Sequence, residues 1–351
     1  MESFARPDRL LDGPAVWRGD QLADWDEWIH AWTRQEIGEL QDALLAARAL
    51  GRPLGEIRRD DFPLPRLAPT LDRLRAELLR GRGFVLMRGL DATKYEREEI
   101  ATIFWGIGAH LGRAVPQNAK GHLLGHVKDL GRDSDEPNAR IYQTSERQGY
   151  HTDSADIVGL LCLETSMEGG ASALASASTI HNVLFERAPD LLAELFHPFC
   201  TDHRGEHGRD ASPYFTAPIL SWQAEVLSVL YQRLYIESAQ RFDAVPRLTD
   251  CQIAALDAFD QVADDPSIHL EMDLARGDIQ FIHNHQMLHD RTAFRDWQEP
   301  ERRRHLLRLW LSPKDGRPLP PWFAQRLRSV EPGERGGVEL DGVDPVASLM
   351  P

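Results

Sequence analysis

A histidine and an aspartate two positions apart, His151 and Asp153, precede an apolar run in the segment GYHTDSADIVG. In an extended chain the first and third residues of such a triplet point to the same side, so one short stretch can supply two ligands to one metal ion. Two imidazoles and one carboxylate on a single face suit iron(II) that reacts with O₂, because they leave coordination positions open. The pair alone is weak evidence, and by itself it favours an ordinary polar strand entrance.

A third ligand must come from elsewhere, and the segment from 274 to 313 offers four histidines. They are His283, His285, His289 and His305. Spacing alone does not decide between His285 and His289. Arg304 begins an apolar strand, RHLLRLWL, fifteen residues after His289, and arginine is suited to a bidentate grip on a carboxylate. Adjacent antiparallel strands are therefore expected to carry a metal-binding histidine and an arginine that holds the far carboxylate of a cosubstrate.

Three other histidine patterns compete for the metal. They are His122 with His126, His203 with His207, and His269 with Glu271. The first two have HxxxH spacing but lie in Gly-rich stretches, where no helix would bring both rings to one face, so loop histidines are expected. The third matches a carboxylate variant of the motif, yet it lies too close to the later histidines for a similar strand order.

The elements that must position these residues begin with a helical layer. Apolar periodicity predicts helices at 33–50, 71–80 and 94–111 and a strand at 83–90. Thr33 and Glu36 form a predicted capping box for the first helix, and Thr93 and Glu96 form one for the third. A Pro-punctuated connector follows the first helix.

The N-terminus is rich in tryptophan. Trp25, Trp28 and Trp32 have helical spacing, which favours a face packed in the core over a binding motif. The first twenty residues carry four acidic side chains and no apolar h-region, so no secretory signal is expected.

From about residue 140 onward, short apolar runs alternate with Gly, Ser, Asn and Asp. This pattern is typical of a jelly roll, in which two facing sheets enclose a pocket. Two helical insertions are predicted, at 178–196 and at 249–266, and the second has Thr249 and Gln252 as its capping pair.

We predict a single α+β domain with a mainly β core. Its parts are a helical N-terminal layer at 1–80, a jelly-roll core with insertions at 81–313, and a C-terminal tail at 314–351. The tail is rich in Pro and Gly and is expected to wrap the surface.

Together these pieces resemble the iron(II)/2-oxoglutarate dioxygenases of the taurine dioxygenase-like (TauD/TfdA) family. The matching pieces are YHTD, GGAS, GDIQFIHNHQMLHDRTAF and RRRHLLRLWL, which occur in the family's order between about residues 80 and 313. That family has a His-x-Asp, a Gly-Gly-x-Thr/Ser, an Asn-x4-His before R-T/x-x-F, and a downstream Arg. The resemblance implies a double-stranded β-helix, a cupin-like jelly roll, that uses Fe(II) and 2-oxoglutarate.

The resemblance also implies roles for particular residues. His151, Asp153 and His289 would bind iron and serve as the catalytic centre. Arg304 and Ser172 would hold the 5-carboxylate of 2-oxoglutarate. The glycine pair at 169 and 170 is open to two interpretations, a simple turn or a turn that also walls the cosubstrate.

A substrate-binding set follows from the same comparison. Arg308 lies where the taurine-specific member has its substrate-contacting arginine, and an arginine there suggests an anionic substrate group. Ser145, Arg147 and Tyr150 occupy the approach to His-x-Asp where relatives often have asparagine, which argues against taurine as the substrate. Arg147 and Tyr150 are therefore expected to line the substrate pocket. His283 stands where many members have Asp, and its role is open.

The expected reaction couples conversion of 2-oxoglutarate and O₂ to succinate and CO₂ with hydroxylation of a small organic, carboxylate-bearing substrate. The carboxylate of Asp153 leaves no ligand position for a halide, which favours hydroxylation over halogenation, while desaturation and ring formation stay open. Two alternatives remain: a cupin-type metal enzyme that would need no Arg304, and a small-molecule binding protein on the same scaffold.

Composition limits which classes of binding partner and which cellular compartment are expected. The chain has 351 residues and a net charge of −15, which repels nucleic acid and anionic membrane surfaces alike. Its three cysteines are widely spaced and form no CxxC, which fits a reducing cytoplasm better than a disulfide framework. No stretch of about 18 apolar residues occurs, so no membrane span is expected. Family resemblance suggests a homo-oligomer.

Overall fold

The computed structural model describes residues 4–132, 140–208 and 211–351, and these form nine α-helices and sixteen strands. The helices are α1 (Gly19–Leu22), α2 (Arg34–Ala49), α3 (Ala68–Arg80), α4 (Arg97–Leu111), α5 (Ala177–Arg187), α6 (Pro189–Glu194), α7 (Arg233–Ala239), α8 (Asp250–Ala263) and α9 (Ala324–Leu327). The strands are β1 (Ile29–Ala31), β2 (Phe84–Arg88), β3 (Arg113–Ala114), β4 (Leu124–Val127), β5 (Ile157–Glu164), β6 (Glu168–Gly169), β7 (Ser172–Ser176), β8 (Pro198–Asp202), β9 (Tyr214–Pro218), β10 (Leu220–Gln223), β11 (Val226–Val229), β12 (Leu270–Met272), β13 (Ile279–His283), β14 (Met287–Arg291), β15 (Phe294–Arg295) and β16 (His305–Ser312).

Two sheets face each other at the centre. The larger has the order β1-β2-β13-β5-β16-β3, with β4 also paired to β16, and the smaller has the order β12-β7-β14. One buried cluster joins them: Phe84 and Trp310 of the larger sheet pack with Leu174 and Met287 of the smaller. This arrangement is a double-stranded β-helix, and it confirms the predicted jelly roll. Three further strand pairs, β10-β11, β6-β15 and β8-β9, lie outside these sheets.

Helices cover both outer faces. Successive residues of a strand point to opposite sides, so Phe84 and Leu86 face the inner core while Val85 and Met87 pack outward in the cluster that holds α2, α3 and α4. On the smaller sheet, Ala175 packs outward in a second cluster that includes α5, α6 and α8. The central pocket is therefore enclosed between two sheets that are each backed by helices.

Several local predictions are confirmed. Thr33 and Glu36 form the capping box of α2, and Thr249 and Gln252 form that of α8. One capping prediction was wrong: α4 is capped by Glu96 with Glu99, and Thr93 lies in a preceding short 3₁₀ turn. The extended conformation at Glu96 delays the helix to Arg97.

Two longer predicted helices also differ in the structure. The insertion at 178–196 is two helices, α5 and α6, separated at Ala188 because Pro189 has no N–H to continue the first. The tryptophan stripe is not helical: Trp28 and Trp32 flank the short strand β1 and are buried, whereas Trp25 is exposed.

The tail does more than wrap the surface. Leu319, Phe323 and Leu327 form a small buried cluster, and Arg335 is among the largest fully buried side chains of the described residues. Parts of the predicted surface tail thus belong to the core, whereas residues 341–346 are exposed. Within the described residues, no helix has both the length and the apolar character needed to cross a bilayer.

Candidate metal centre

The backbone pairs His151 directly with His289 of β14. Each residue donates its N–H to the carbonyl of the other at 3.0 Å. Residues paired in this way project side chains to the same face, and the two imidazole rings lie 4.1 Å apart between centroids. Asp153 follows on the same side, with Oδ1 3.8 Å from His151 Nε2 and Oδ2 3.8 Å from His289 Nε2.

These three residues, hereafter the metal group, have donor atoms within 4.8 Å of one another. Across 4–132, 140–208 and 211–351, they are the one set of three His, Cys, Asp or Glu that does so. The donor set is two imidazoles and a carboxylate from one side, which suits iron(II) and leaves positions for a cosubstrate and O₂.

Backbone contacts hold the His-x-Asp segment on both sides. Asn284 in the turn between β13 and β14 accepts the Asp153 N–H at 2.7 Å and donates to the carbonyls of Asp153 and Ala155. Thr152 donates its N–H to the Tyr231 carbonyl at 2.8 Å, and its hydroxyl accepts the Tyr231 N–H. The extended geometry that aligns the two ligands is therefore fixed by the fold.

The hydrogen bonds of His151 and the burial of His289 both favour metal binding. His151 Nδ1 lies 2.9 Å from the Gly149 carbonyl, which it contacts as a donor, so Nε2 carries the lone pair. That atom is 3.0 Å from the side-chain amide of Gln148. Burial lowers the pKa of His289 to about 3, so its imidazole is neutral at physiological pH.

Hydrogen bonds from two neighbouring side chains orient the Asp153 carboxylate and keep it ionised. Its Oδ2 accepts hydrogen bonds from Trp310 Nε1 at 2.8 Å and Arg308 Nη1 at 3.1 Å. Burial would raise the pKa of this carboxyl, but Arg308, the two histidines and Trp310 outweigh burial and lower the pKa to about 2. Two donors on Oδ2 leave Oδ1 available for a metal ion.

A narrow cavity of about 40 Å³ opens beside His151 and His289. Arg304 lines it and is 5% exposed. Its Nη2 donates to the Gly170 carbonyl at 3.2 Å, while Nη1 is buried without a partner. No carboxylate of the described chain lies within ion-pair distance of this guanidinium. Burial lowers the pKa of Arg304 to about 10, so the group is still cationic at neutral pH.

The second glycine of the pair packs directly against Arg304. Gly169 and Gly170 have φ of 71° and 77°, a region that side chains disfavour. A Cβ at Gly170 would lie 2.9 Å from Arg304 Nε. Neither glycine lines the cavity itself, so the turn acts on the cavity only through the room that Gly170 leaves for Arg304.

Ser172 and Arg291 lie opposite each other on β7 and β14 and line the same cavity. Ser172 donates its hydroxyl to Gln280 Oε1 at 3.2 Å. The sequence interpretation missed Arg291, which donates from Nη2 to the Glu146 carbonyl and has buried Nε and Nη1 without partners. Strand periodicity was the available signal, because Arg291 is two residues from His289 and shares its face.

A larger cavity of about 410 Å³ lies on the Asp153 side, and Gln148 and Arg308 line both cavities. Arg308 donates from Nε to Gln117 Oε1 at 2.7 Å and from Nη1 to Asp153. Its guanidinium also lies over the rings of Tyr142 and Trp310. The predicted substrate arginine is therefore at the cavity wall, in contact with the metal group.

The other two predicted substrate residues are placed differently. Arg147 lines the larger cavity, but its guanidinium is bound by Asp290, at 2.8 Å from Nε, and by Asp264. Tyr150 is buried in the helix-backed cluster near His269 and lines neither cavity. The expectation that Tyr150 faces substrate is corrected, because its ring packs into the outer core instead.

The competing histidines lie elsewhere. His285 is fully buried, with Nε2 3.4 Å from Asp156 Oδ1, and His283 is buried beside it. The expectation of loop histidines was wrong for His126, which lies in β4 with Nδ1 2.9 Å from His305 Nε2. None of these rings joins the metal group.

A jelly roll that gathers two histidines and an aspartate, with a buried arginine that has no acidic partner in the cavity beside both histidines, defines the class of non-haem metal oxygenases. Comparison with known proteins then identifies the family. The model of the "Taurine catabolism dioxygenase TauD, TfdA family" matches residues 48–310. The chain belongs to this family and is an Fe(II)/2-oxoglutarate-dependent dioxygenase.

Two curated relatives span most of the chain. FR-33289 synthase of Streptomyces rubellomurinus (strain ATCC 31215) is 29% identical over 313 residues, covering 88% of this chain and 92% of its own. Taurine hydroxylase-like protein SAT17 of Stachybotrys chartarum (strain CBS 109288 / IBT 7711) is 30% identical over 309 residues, covering 85% of this chain and 79% of its own.

Solved structures share the fold at low sequence identity. Asparagine oxygenase in complex with Fe(II), 2S,3S-3-hydroxyasparagine and succinate superposes with a TM-score of 0.65 at 15% identity, covering 81% of this chain and 93% of that one. Non-heme iron oxygenase OrfP in complex with Fe and alpha-ketoglutaric acid gives 0.61 at 19% identity, with the same coverage of 81% and 93%.

Proposed function

We propose that His151, Asp153 and His289 hold the iron(II) of this oxygenase and that Arg304 and Ser172 hold the 5-carboxylate of 2-oxoglutarate. The strongest support is the buried Arg304 guanidinium, which lacks an acidic partner in a cavity shared with both histidines. A buried cation without an anion is costly, so a ligand carboxylate is the natural partner. A metal enzyme that does not use 2-oxoglutarate would have no need of this group.

Bound iron supplies activation of O₂ coupled to conversion of 2-oxoglutarate to succinate and CO₂. The protein supplies orientation and exclusion of water. Arg308 and Trp310 fix the Asp153 carboxylate, so one oxygen faces the metal position. Burial keeps the imidazole of His289 neutral. Gly170 makes room for Arg304 to reach the cosubstrate cavity.

The substrate is proposed to be a small organic molecule that enters the larger cavity and is hydroxylated at an unactivated C–H bond. That cavity, of about 410 Å³, adjoins Asp153 and Arg308 and is large enough for a small molecule. Hydroxylation is preferred over desaturation because the fold neighbours named above include an oxygenase with a hydroxylated amino acid bound. Arg308 contacts the metal group and the cavity together, which supports a role for it in placing the substrate.

The test measures 2-oxoglutarate binding and turnover in Arg304→Met. Anaerobic addition of Fe(II) and 2-oxoglutarate to the wild type should give the weak visible charge-transfer band of the chelate, and O₂ should then yield succinate. Loss of a buried charge-assisted contact should raise the 2-oxoglutarate concentration needed for the band by about 100-fold.

Arg303→Met is the matched control, because that neighbouring arginine donates to the Trp297 carbonyl and lines neither cavity of the site. It should bind 2-oxoglutarate as the wild type does. A wild type that gives neither the band nor succinate would contradict the proposal and favour the metal enzyme or binding protein that does not use 2-oxoglutarate.

Three expectations from the sequence remain proposals. They are a single domain over residues 1–351, a cytoplasmic location without nucleic-acid or membrane partners, and assembly as a homo-oligomer. The net charge of −15 and the separated cysteines support the second.

A further inference from the structure

The C-terminal tail sends one arginine into the larger cavity. Arg326 of α9 donates from Nε to the Ser154 hydroxyl at 2.5 Å, one residue from Asp153. The match to the family model ends at residue 310. Arg326 therefore belongs to a part of this chain that the family pattern does not describe.

Arg140 meets Arg326 at the same wall through a shared carboxylate. Glu206 Oε1 lies 2.8 Å from Arg140 Nη2, and Glu206 Oε2 lies 3.1 Å from Arg326 Nη2. All three side chains are largely buried, at 14%, 9% and 9% exposure respectively for Arg140, Arg326 and Glu206. Neither arginine forms another ion pair in the described chain, so one carboxylate serves two guanidinium groups and these three side chains together carry a net charge of +1.

The remaining contacts of the pair are neutral acceptors. Arg140 donates to the Tyr235 hydroxyl at 2.7 Å and to the Arg204 carbonyl at 3.1 Å. Arg326 lies 3.3 Å from His203 Nδ1. Because the Tyr235 oxygen accepts from Arg140, its own hydrogen is left to donate, and burial raises the pKa of Tyr235 so that it stays protonated.

We propose that Arg140 and Arg326, with the Tyr235 hydroxyl, form a subsite that anchors an oxyanion group of the substrate. The class is a small molecule that bears a carboxylate, phosphonate or sulfonate, held at this wall of the cavity while another part of it reaches the metal group. The two guanidinium groups more than neutralise the Glu206 carboxylate, which disfavours a substrate ammonium group at this wall. This inference depends on the proposed function only for the oxidation of the bound substrate; binding of the oxyanion does not depend on it.

The experiment uses the enzyme loaded with Fe(II) and saturated with 2-oxoglutarate, without O₂, so the Arg304 cavity is occupied. Calorimetric titrations compare four probes of similar chain length: butanoate, propylphosphonate, propanesulfonate and the neutral butanamide. At least one anion should bind at least about tenfold more tightly than butanamide, and the preferred anion identifies the substrate group. Equal binding of butanamide and the anions, or no binding of any anion, would overturn the proposal.

Arg326→Met and Arg140→Met should each weaken binding of the preferred anion by at least about tenfold. Each variant leaves Glu206 paired with the other arginine, so no buried carboxylate is orphaned and folding should persist. Arg326→Lys keeps the charge and should retain part of the affinity. Arg328→Met is the matched control, since Arg328 lies two residues on and forms an exposed ion pair with Glu339.

The charge-transfer band of the 2-oxoglutarate chelate is recorded for every variant. A variant that keeps this band and loses the anion supports the subsite. Unchanged anion binding in both Arg326→Met and Arg140→Met overturns it. Absence of the band in the wild type would count against the proposed function alone, because anion binding is measured separately by calorimetry.

Discussion

The segment that carries His151 and the turn and strand that carry His289 also contribute Asp156 and His285 to a second cluster, which differs from the first by the tail arginine that joins it. The metal group uses His151, Asp153 and His289; its two histidines line the narrow cavity and Asp153 lines the larger one. A second cluster, hereafter the Asp156 cluster, contains Asp156, His285 and Arg335. In it the Arg335 guanidinium is 2.5 Å from Asp156, and all three residues are fully buried.

The comparison shows why similar residue types do different work. In the Asp156 cluster the tail arginine Arg335 supplies the positive charge that a metal ion would otherwise bring to the carboxylate and the imidazole. Burial would raise the pKa of Asp156, but His285 and Arg335 outweigh burial and lower the pKa. In the metal group Arg308 engages only one oxygen of Asp153, which leaves the other exposed to the cavity. The two clusters contain similar acidic and imidazole side chains. What distinguishes the structural cluster from the metal site is how its arginine engages the carboxylate.

The largest expected effect comes from removing a ligand of the metal group. His289→Ala should abolish Fe(II) binding and lower the rate of succinate formation by at least about 10⁴-fold, equivalent to about 5 kcal/mol in the barrier. His285→Gln is the matched comparison, and it should retain metal and turnover. Metal content after gel filtration and succinate yield measure both, and loss of iron in His285→Gln with retention in His289→Ala would reverse the assignment of the two clusters.

A large effect on stability is expected from the Asp156 cluster. Arg335→Met removes the partner of a fully buried carboxylate, so the free energy of unfolding should fall by about 3–5 kcal/mol. Urea denaturation of the metal-free protein measures the loss, and Arg328→Met should be nearly neutral because its ion pair is exposed.

Adding Asp156→Asn to Arg335→Met should restore part of that stability, because the orphaned charge is removed. No recovery in the double variant would mean that lost packing, rather than the unpaired charge, accounts for the cost.

The smallest expected effect concerns pH. Burial lowers the pKa of both His283 and His285, so these rings stay neutral in the folded protein while the unfolded chain takes up protons below about pH 6.5. The free energy of unfolding should therefore fall as pH drops below 6.5, by up to about 1.4 kcal/mol per pH unit for each histidine. His285→Gln should make this slope shallower, as measured by urea denaturation from pH 7 to 5.5. An unchanged slope would show that His285 does not stay neutral.

Much of the fold and the core of the site followed from local patterns in the sequence. The capping boxes at Thr33 and Thr249 depend on residues three apart, and strand periodicity alone aligns His151 with Asp153. Periodicity failed to separate His285 from His289, which have the same parity; the family order favoured His289, and the structure groups it with the other two donors.

Long-range pairing explains what was missed. Arg147 is bound by Asp264 and Asp290, and Arg335 by Asp156, across more than 100 residues in each case. The local sequence around each arginine does not predict partners at such distances along the chain. The tail was expected to lie on the surface because it is rich in Pro and Gly. Its two buried arginines, Arg326 and Arg335, pair with the distant carboxylates Glu206 and Asp156, and the local sequence does not predict these ion pairs.

The entry of Arg326 from beyond the family-matched segment has an evolutionary consequence. The residues proposed to hold iron and 2-oxoglutarate lie within 151–304, whereas one side of the proposed anchor arrives on a separate stretch of chain. Exchange of the C-terminal stretch between related genes could thus alter which acids are accepted while the oxygen-activating machinery is inherited intact.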